Sequence, residues 1–353
     1  MTALLKLTRI VAVLIVLATL GGCSSIAYYS QSVLGHSKLM LARVPIDKAI
    51  ISAQKNSDDE LASQLLLAKQ LRRYSVDHLS LPDNASYSSY VDLDRDFPVW
   101  TVVAAEEFSI NAKQWCYPVI GCASYRGYFS KQSAKEYAQA QQNLGLETTI
   151  GAVGAYSTLG WFADPLLPSM MRYGVADFAE TLFHELAHQQ LYIKGDSGFN
   201  EAFATVVGEH GALQWLAAQR PDLLVDYQRR LAASDDFSAL VARLKEHLRE
   251  LYRSNLATQE MREAKHQLFS NLKKNYQQLK SNNWQGLAWY DAWFAQAVNN
   301  ARIADFGTYR DQVPEFELLF ADCRSNFKLF YASLKLTNNN QGKPIIPKQC
   351  NRH

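Results

Sequence analysis

The sequence predicts a helix-dominated α+β protein. Three observations carry that reading. Apolar residues recur at helical spacing over most of the chain, including a long charged amphipathic stretch from Pro221 to Leu279. Two stretches, residues 97–130 and Thr148 to Tyr156, change to β-rich character. The stretch Thr181-Leu-Phe-His-Glu-Leu-Ala-His188 needs a helix to bring its polar residues to one face. A chain of 353 residues, 48% hydrophobic, is ample for a sizeable core, as one large domain or two closely packed lobes.

Residues 1–22 read as a targeting segment. Lys6 and Arg9 give it a basic start, and Ile10 to Leu20 is an apolar run too short for a stable membrane span. It ends in Leu20-Gly21-Gly22-Cys23, which resembles a bacterial lipobox whose cysteine is lipidated and becomes the mature N-terminus. Ser24 after Cys23 resembles the sorting signal for the periplasmic face of a Gram-negative outer membrane, where acyl chains would hold the protein. Loss of this segment removes two positive charges from a formal net charge of +2. The neutral remainder, 23–353, carries no electrostatic footprint for nucleic acid.

Cysteine usage agrees with export. With Cys23 reserved for lipid, Cys116, Cys122, Cys323 and Cys350 remain, an even number suited to an oxidising compartment. Cys116–Cys122 and Cys323–Cys350 is the simplest of three connectivities.

The elements follow in order. Tyr28 to Leu41 and Ile46 to Leu71 read as helices, with Pro45 opening the second. Val99 to Ala104 reads as a strand, and Gln114 to Tyr117 with Ala123 to Phe129 as a hairpin about the Cys116–Cys122 loop. Ser130 to Asn143 is helical. Thr148 to Tyr156 reads as a strand, and Trp161-Phe162 with Pro165 to Pro168 as a loop able to wall a cleft. Pro221 to Leu279 reads as a helical hairpin, and 284–335 as aromatic-rich helices. The N-terminal helices and sheet thus occupy about 24–170, two motif-bearing helices about 174–216, and a helical lobe about 221–335.

The motif is His184-Glu-Leu-Ala-His188. Histidines four apart lie one turn up the same helix face and can grip one Zn²⁺, each at about 2.0–2.1 Å. Glu185, about 100° further round, can lean over the open side and take a proton from a water that the metal activates. Phe178, Leu182, Leu186 and Ala187 supply the apolar stripe of the helix, and Tyr173-Gly174 its upstream break. The turn cluster Lys194-Gly195-Asp196-Ser197-Gly198 then forces a second helix to fold back. That brings Glu201 to the histidine pair as a third ligand, leaving one position open, as in catalytic zinc sites.

His184-Glu-Leu-Ala-His188 followed by Asn200-Glu-Ala-Phe-Ala-Thr205 resembles the gluzincin zinc peptidases. The second segment is similar to the N-E-G-F-A block of their aminopeptidase branch, whose glutamate is the third ligand. The resemblance implies that role for Glu201. The gap from His188 to Glu201 is shorter than in those aminopeptidases, and Glu209 stands nearer the usual spacing. Trp115-Cys-Tyr-Pro118, Tyr125-Arg-Gly-Tyr-Phe129 and Tyr156-Ser-Thr-Leu-Gly-Trp161 extend the likeness to bacterial aminopeptidase-like lipoproteins over most of the mature chain. The resemblance implies a gluzincin-like core: a small mixed sheet, the motif helix, and a helical lobe closing the cleft.

The expected function is zinc-dependent peptide hydrolysis with one Zn²⁺, held by His184, His188 and Glu201, and Glu185 as base. An oxyanion donor is still needed. Tyr309 is the candidate chosen among Tyr290, Tyr227 and His210. A substrate peptide could pair with an edge strand upstream of the motif, at Gly154, Ala155 and Tyr156. An aminopeptidase also needs a carboxylate for the α-ammonium, with Asp164, Asp177 and Glu180 as candidates. The rival reading is a non-catalytic zinc-binding lipoprotein scaffold. An intact Glu185 speaks against it, since a scaffold has no use for a base there.

Overall fold

Helices dominate because most apolar residues repeat every three or four positions. The computed structural model describes residues 27–117, 121–158, 160–335 and 345–351; Cys23 and the targeting segment 1–22 lie outside the described residues. Residues 27–41 form α1. The short strand β1 (Val44–Pro45) leads into α2 (Ile46–Lys55) and α3 (Asp59–Leu79). The single run expected from Ile46 to Leu71 is therefore two helices. Asp58 caps α3 by accepting from Leu61 N at 3.0 Å, and Ser57 takes a left-handed φ of 56°, so Asn56-Ser57-Asp58 turns the chain. Apolar spacing carries across this turn, which hid it.

Strand β2 (Ser89–Tyr90) pairs with β1. Strand β3 (Val99–Ala105) is the centre of the main sheet. The chain then makes the hairpin β4 (Trp115–Tyr117) and β5 (Gly121–Ala123), with Cys116 opposite Cys122 and their sulfurs bonded. Only these short strands form the hairpin. β6 (Arg126–Tyr128), expected as its continuation, pairs with β3 instead. Helix α4 (Lys131–Gln142), capped by Ser130, leads to β7 (Glu147–Val153) on the other side of β3.

The sheet order is β6-β3-β7, and both ladders are antiparallel, so the expected mixed sheet is not what forms. The crossover from β6 through α4 to β7 straddles β3, so the two parallel strands never touch. Alternation then gives the sheet two packed faces. Val102 meets Ala134 and Ala138 of α4, while Val103 and Ala105 meet Ala301 on the opposite face.

Helix α5 (Pro168–Met171) precedes the long pair α6 (Val175–Gln190) and α7 (Ser197–Gln219). The expected helical hairpin follows as α8 (Pro221–Arg253) and α9 (Thr258–Asn282). The aromatic region yields α10 (Asp291–Phe294), α11 (Asn300–Arg310), α12 (Val313–Asp322) and α13 (Phe327–Lys335). The largest core joins α2, α3, α6, α7, α12 and α13. A second, aromatic core around Phe237, Tyr276 and Trp284 holds the α8–α9 hairpin to α11. Cys323, at the end of α12, is bonded to Cys350 and pins the tail. No helix among the described residues is long and apolar enough to cross a membrane.

Candidate metal centre

The site is built by the turn between α6 and α7. The apolar stripe of α6 buries Phe178, Leu182, Phe183, Leu186 and Ala187, which fixes the rotation of the helix. Asp196 caps α7 by accepting from Phe199 N at 3.0 Å. Asn200 is buried and clamps the turn twice. Its Oδ1 accepts from Ile193 N and its Nδ2 donates to Ile193 O, both at 2.7 Å. Glu201 thereby enters on the first turn of α7, level with the end of α6. The disulfide hairpin supports the same turn, since a Cβ on Gly121 would fall 2.9 Å from Gly195 N. Gly208 lets the two helices close: a Cβ there would meet Glu180 O at 2.9 Å and His184 Cβ at 3.1 Å.

Three donor atoms converge. His184 Nε2 and His188 Nε2 stand 3.2 Å apart, and Glu201 Oε2 lies 3.3 Å from the first and 3.6 Å from the second. Tetrahedral ligands at about 2.0–2.1 Å from one centre stand about 3.3 Å apart. His184, His188 and Glu201 form a group that could hold a metal ion. The donor chemistry points the same way, for two facing imidazole nitrogens and a carboxylate call for a cation between them. His188 Nδ1 is buried with no hydrogen-bond partner among the described residues. Burial opposes Glu201's ionisation, yet the two histidines hold its carboxyl well below the usual range.

Glu185 sits on the same helix and makes no hydrogen bond to the described residues. Burial raises its pKa, against the pull of His184 and His188. Tyr309 of α11 is within electrostatic reach: the charge of Glu201, ahead of burial, drives its pKa well above that of an ordinary phenol. The other oxyanion candidates are engaged elsewhere. Tyr227 donates to Glu180 at 2.9 Å, His210 pairs with Glu317 at 2.8 Å, and Tyr290 stacks on Phe237. Glu209 is not part of the group. It accepts from Arg310 Nη1 at 2.6 Å, and burial pushes its pKa up to about 7.

The substrate stretch needs correction. β7 is an edge strand but ends at Val153, so Gly154, Ala155 and Tyr156 follow it as loop. Their groups are used to anchor that loop. Gly154 O accepts from Ser169 Oγ, and Tyr156 Oη meets His36 Nδ1 at 3.0 Å. Exposed Trp161 and Phe162 follow, and the loop passes over Gln189, next to His188.

Sequence reasoning assigned no role to Tyr125, Tyr192 or Asp305, all of which feel the charge of Glu201. Tyr125 stood inside a segment quoted for its family likeness. The other two gave no signal, since nothing local marks a residue that reaches a site from elsewhere in the chain.

Fold and site together define a helix-dominated α+β protein with a candidate two-histidine, one-glutamate metal centre on two antiparallel helices. The chain belongs to the family described as "Putative aminopeptidase", whose model matches residues 27–343. Membership supports a peptidase-like function. Neither a curated protein nor a solved structure matches the chain.

Proposed function

We propose that the protein is a zinc-dependent peptidase of the bacterial cell envelope, acting as an aminopeptidase. The observation that carries this reading is the convergence of His184, His188 and Glu201 beside Glu185, which makes no hydrogen bond to the described residues. Two imidazoles and one carboxylate are a donor set suited to zinc, with a position left open. Zinc held there would supply Lewis acidity toward a peptide carbonyl and a water molecule. Glu185 takes the proton from that water and returns it to the leaving amine. Tyr309, kept protonated by its surroundings, donates to the developing oxyanion. The outer edge of β7, near its end at Val153, forms the track for an extended peptide.

The proposed location is the periplasmic face of the outer membrane, with lipid on Cys23. The two disulfides support an oxidising compartment. Cys23→Ala should lose acyl labelling and leave the membrane fraction; a labelled variant would refute the anchor. Metal content measured alongside turnover of a peptide library tests the enzyme reading. Stoichiometric zinc with no turnover by the wild type would favour the scaffold.

A further inference from the structure

An enzyme that removes N-terminal residues has to hold a free α-ammonium, and the acidic side chains close to the motif in sequence are already occupied. Asp164 is fully buried and accepts from Thr158 N at 2.8 Å and Thr158 Oγ1 at 2.7 Å. Arg230 takes both Asp177, at 3.5 Å, and Glu180, at 2.5 Å.

Asp305 differs in both place and partners. It lies on α11, the helix that spans from the edge strand to the metal-ligand helix. At one end of α11, Asn299 Nδ2 donates to Thr148 O at 2.9 Å and Arg302 Nη1 to Thr149 Oγ1 at 3.3 Å, both on β7. Near the other end the charge of Glu201 reaches Tyr309, and just past it Gln312 lies beside Gly198 on the first turn of α7. Asp305 is three residues after Arg302 and four before Tyr309, so all three share one helix face. The carboxylate therefore stands between the start of β7 and the His-His-Glu group, and the charge of Glu201 reaches it.

Its oxygens make no hydrogen bond or ion pair with the described residues. Arg302 is the obvious counter-ion, but its guanidinium is turned to Thr149 Oγ1, to Gln296 Oε1 at 3.0 Å, and over the Trp293 ring at 4.9 Å. Among the described residues, a partly buried carboxylate is thus left without a paired cation.

We propose that Asp305 binds the primary α-ammonium of the substrate and so restricts the site to free N-termini. The proposal rests on the peptidase reading above. A peptide's α-nitrogen is about 2.5 Å from its first carbonyl carbon, so the anchor has to sit beside the groups that hold that carbonyl. One helical turn, about 6 Å, separates Asp305 from Tyr309, which suits that requirement. An ammonium presents donors to the carboxylate in charge-assisted hydrogen bonds and supplies its missing counter-charge. Burial, opposed by Arg302, pushes the Asp305 pKa up to about 6, consistent with a carboxylate short of a cation.

Two readouts test this on the zinc-loaded protein. One is kcat/KM for a peptide with a free N-terminus against its Nα-acetylated form. The other is calorimetric affinity for leucine hydroxamate against N-acetyl-leucine hydroxamate. Wild type should prefer the free amine in both. Asp305→Asn should reduce the free-to-acetylated ratio by about 10–100-fold, the range for losing a hydrogen bond to a charged group. Asp305→Glu keeps the charge and should restore part of the ratio, which separates anchoring from misfolding. An unchanged ratio in Asp305→Asn overturns the proposal, as does a wild type whose binding shows no amine preference. Lower thermal stability with the preference intact would assign Asp305 to Arg302 as a counter-ion and also overturn it. Absence of turnover in every protein would sink the peptidase reading alone, because the binding ratio still decides the anchor.

Discussion

Replacing Glu185 with glutamine should cut peptide turnover by about 10²-fold or more while zinc content stays near wild type. The magnitude is the lower range for losing a general base. The separation follows from where the side chain stands. The three convergent donors are His184, His188 and Glu201, and Glu185 is not among them. Glutamine keeps the size of the side chain but cannot accept the proton. Single-turnover kinetics with metal analysis on the same preparation checks both halves. Retained hydrolysis would place the chemistry elsewhere or expose a contaminant, and lost zinc would make Glu185 part of the binding group.

Glu201→Gln should cost more than about 100-fold in zinc affinity, and Glu209→Gln no more than the roughly 10–100-fold of a residue that only orients ligands. Both glutamates are buried on α7, and spacing alone left both open. Their partners distinguish them. Glu201 Oε2 lies 3.3 and 3.6 Å from the two histidines, whereas Glu209 is held at 2.6 Å by Arg310, which also reaches Asp235 at 3.1 Å. Losing the negative charge of Glu209 leaves Arg310 partly unpaired between α7, α8 and α11, so its cost should appear in thermal stability. A chelator competition titration on both variants gives the order. The reverse order would move the third ligand to Glu209.

The contrast between these two glutamates shows what local geometry can place. The proposed ligands fall within 18 residues, on two helices joined by one turn. Over that range the geometry is local. The helical repeat sets His184 against His188, and the Gly195–Gly198 reversal sets the level of Glu201. The split of Ile46–Leu71 into α2 and α3 failed for an equally local reason. A three-residue turn preserved the apolar spacing, and only the Asp58 cap shows where one helix stops and the next begins.

Longer-range features were beyond the reach of pattern. Two strands on either side of β3 read alike whether they pair with each other or with β3, so the antiparallel order β6-β3-β7 emerged only from packing. The end of β7 at Val153 depends on Ser169 and His36, which pull the next residues into a loop from 15 and 120 positions away. Tyr290, Tyr227 and His210 were as plausible as Tyr309 until Phe237, Glu180 and Glu317 engaged them.

By itself, then, the sequence determined the helix-dominated class and singled out the residues of the candidate metal centre on α6 and α7, because each rests on a short-range repeat or a single turn. The tertiary structure alone decided what surrounds them. It brought Tyr125, Tyr192, Asp305 and Tyr309 within electrostatic reach of Glu201 and paired Glu209 with Arg310. Such neighbours are chosen by how α11 packs against α7 and the sheet, through contacts about a hundred residues apart that no local period encodes.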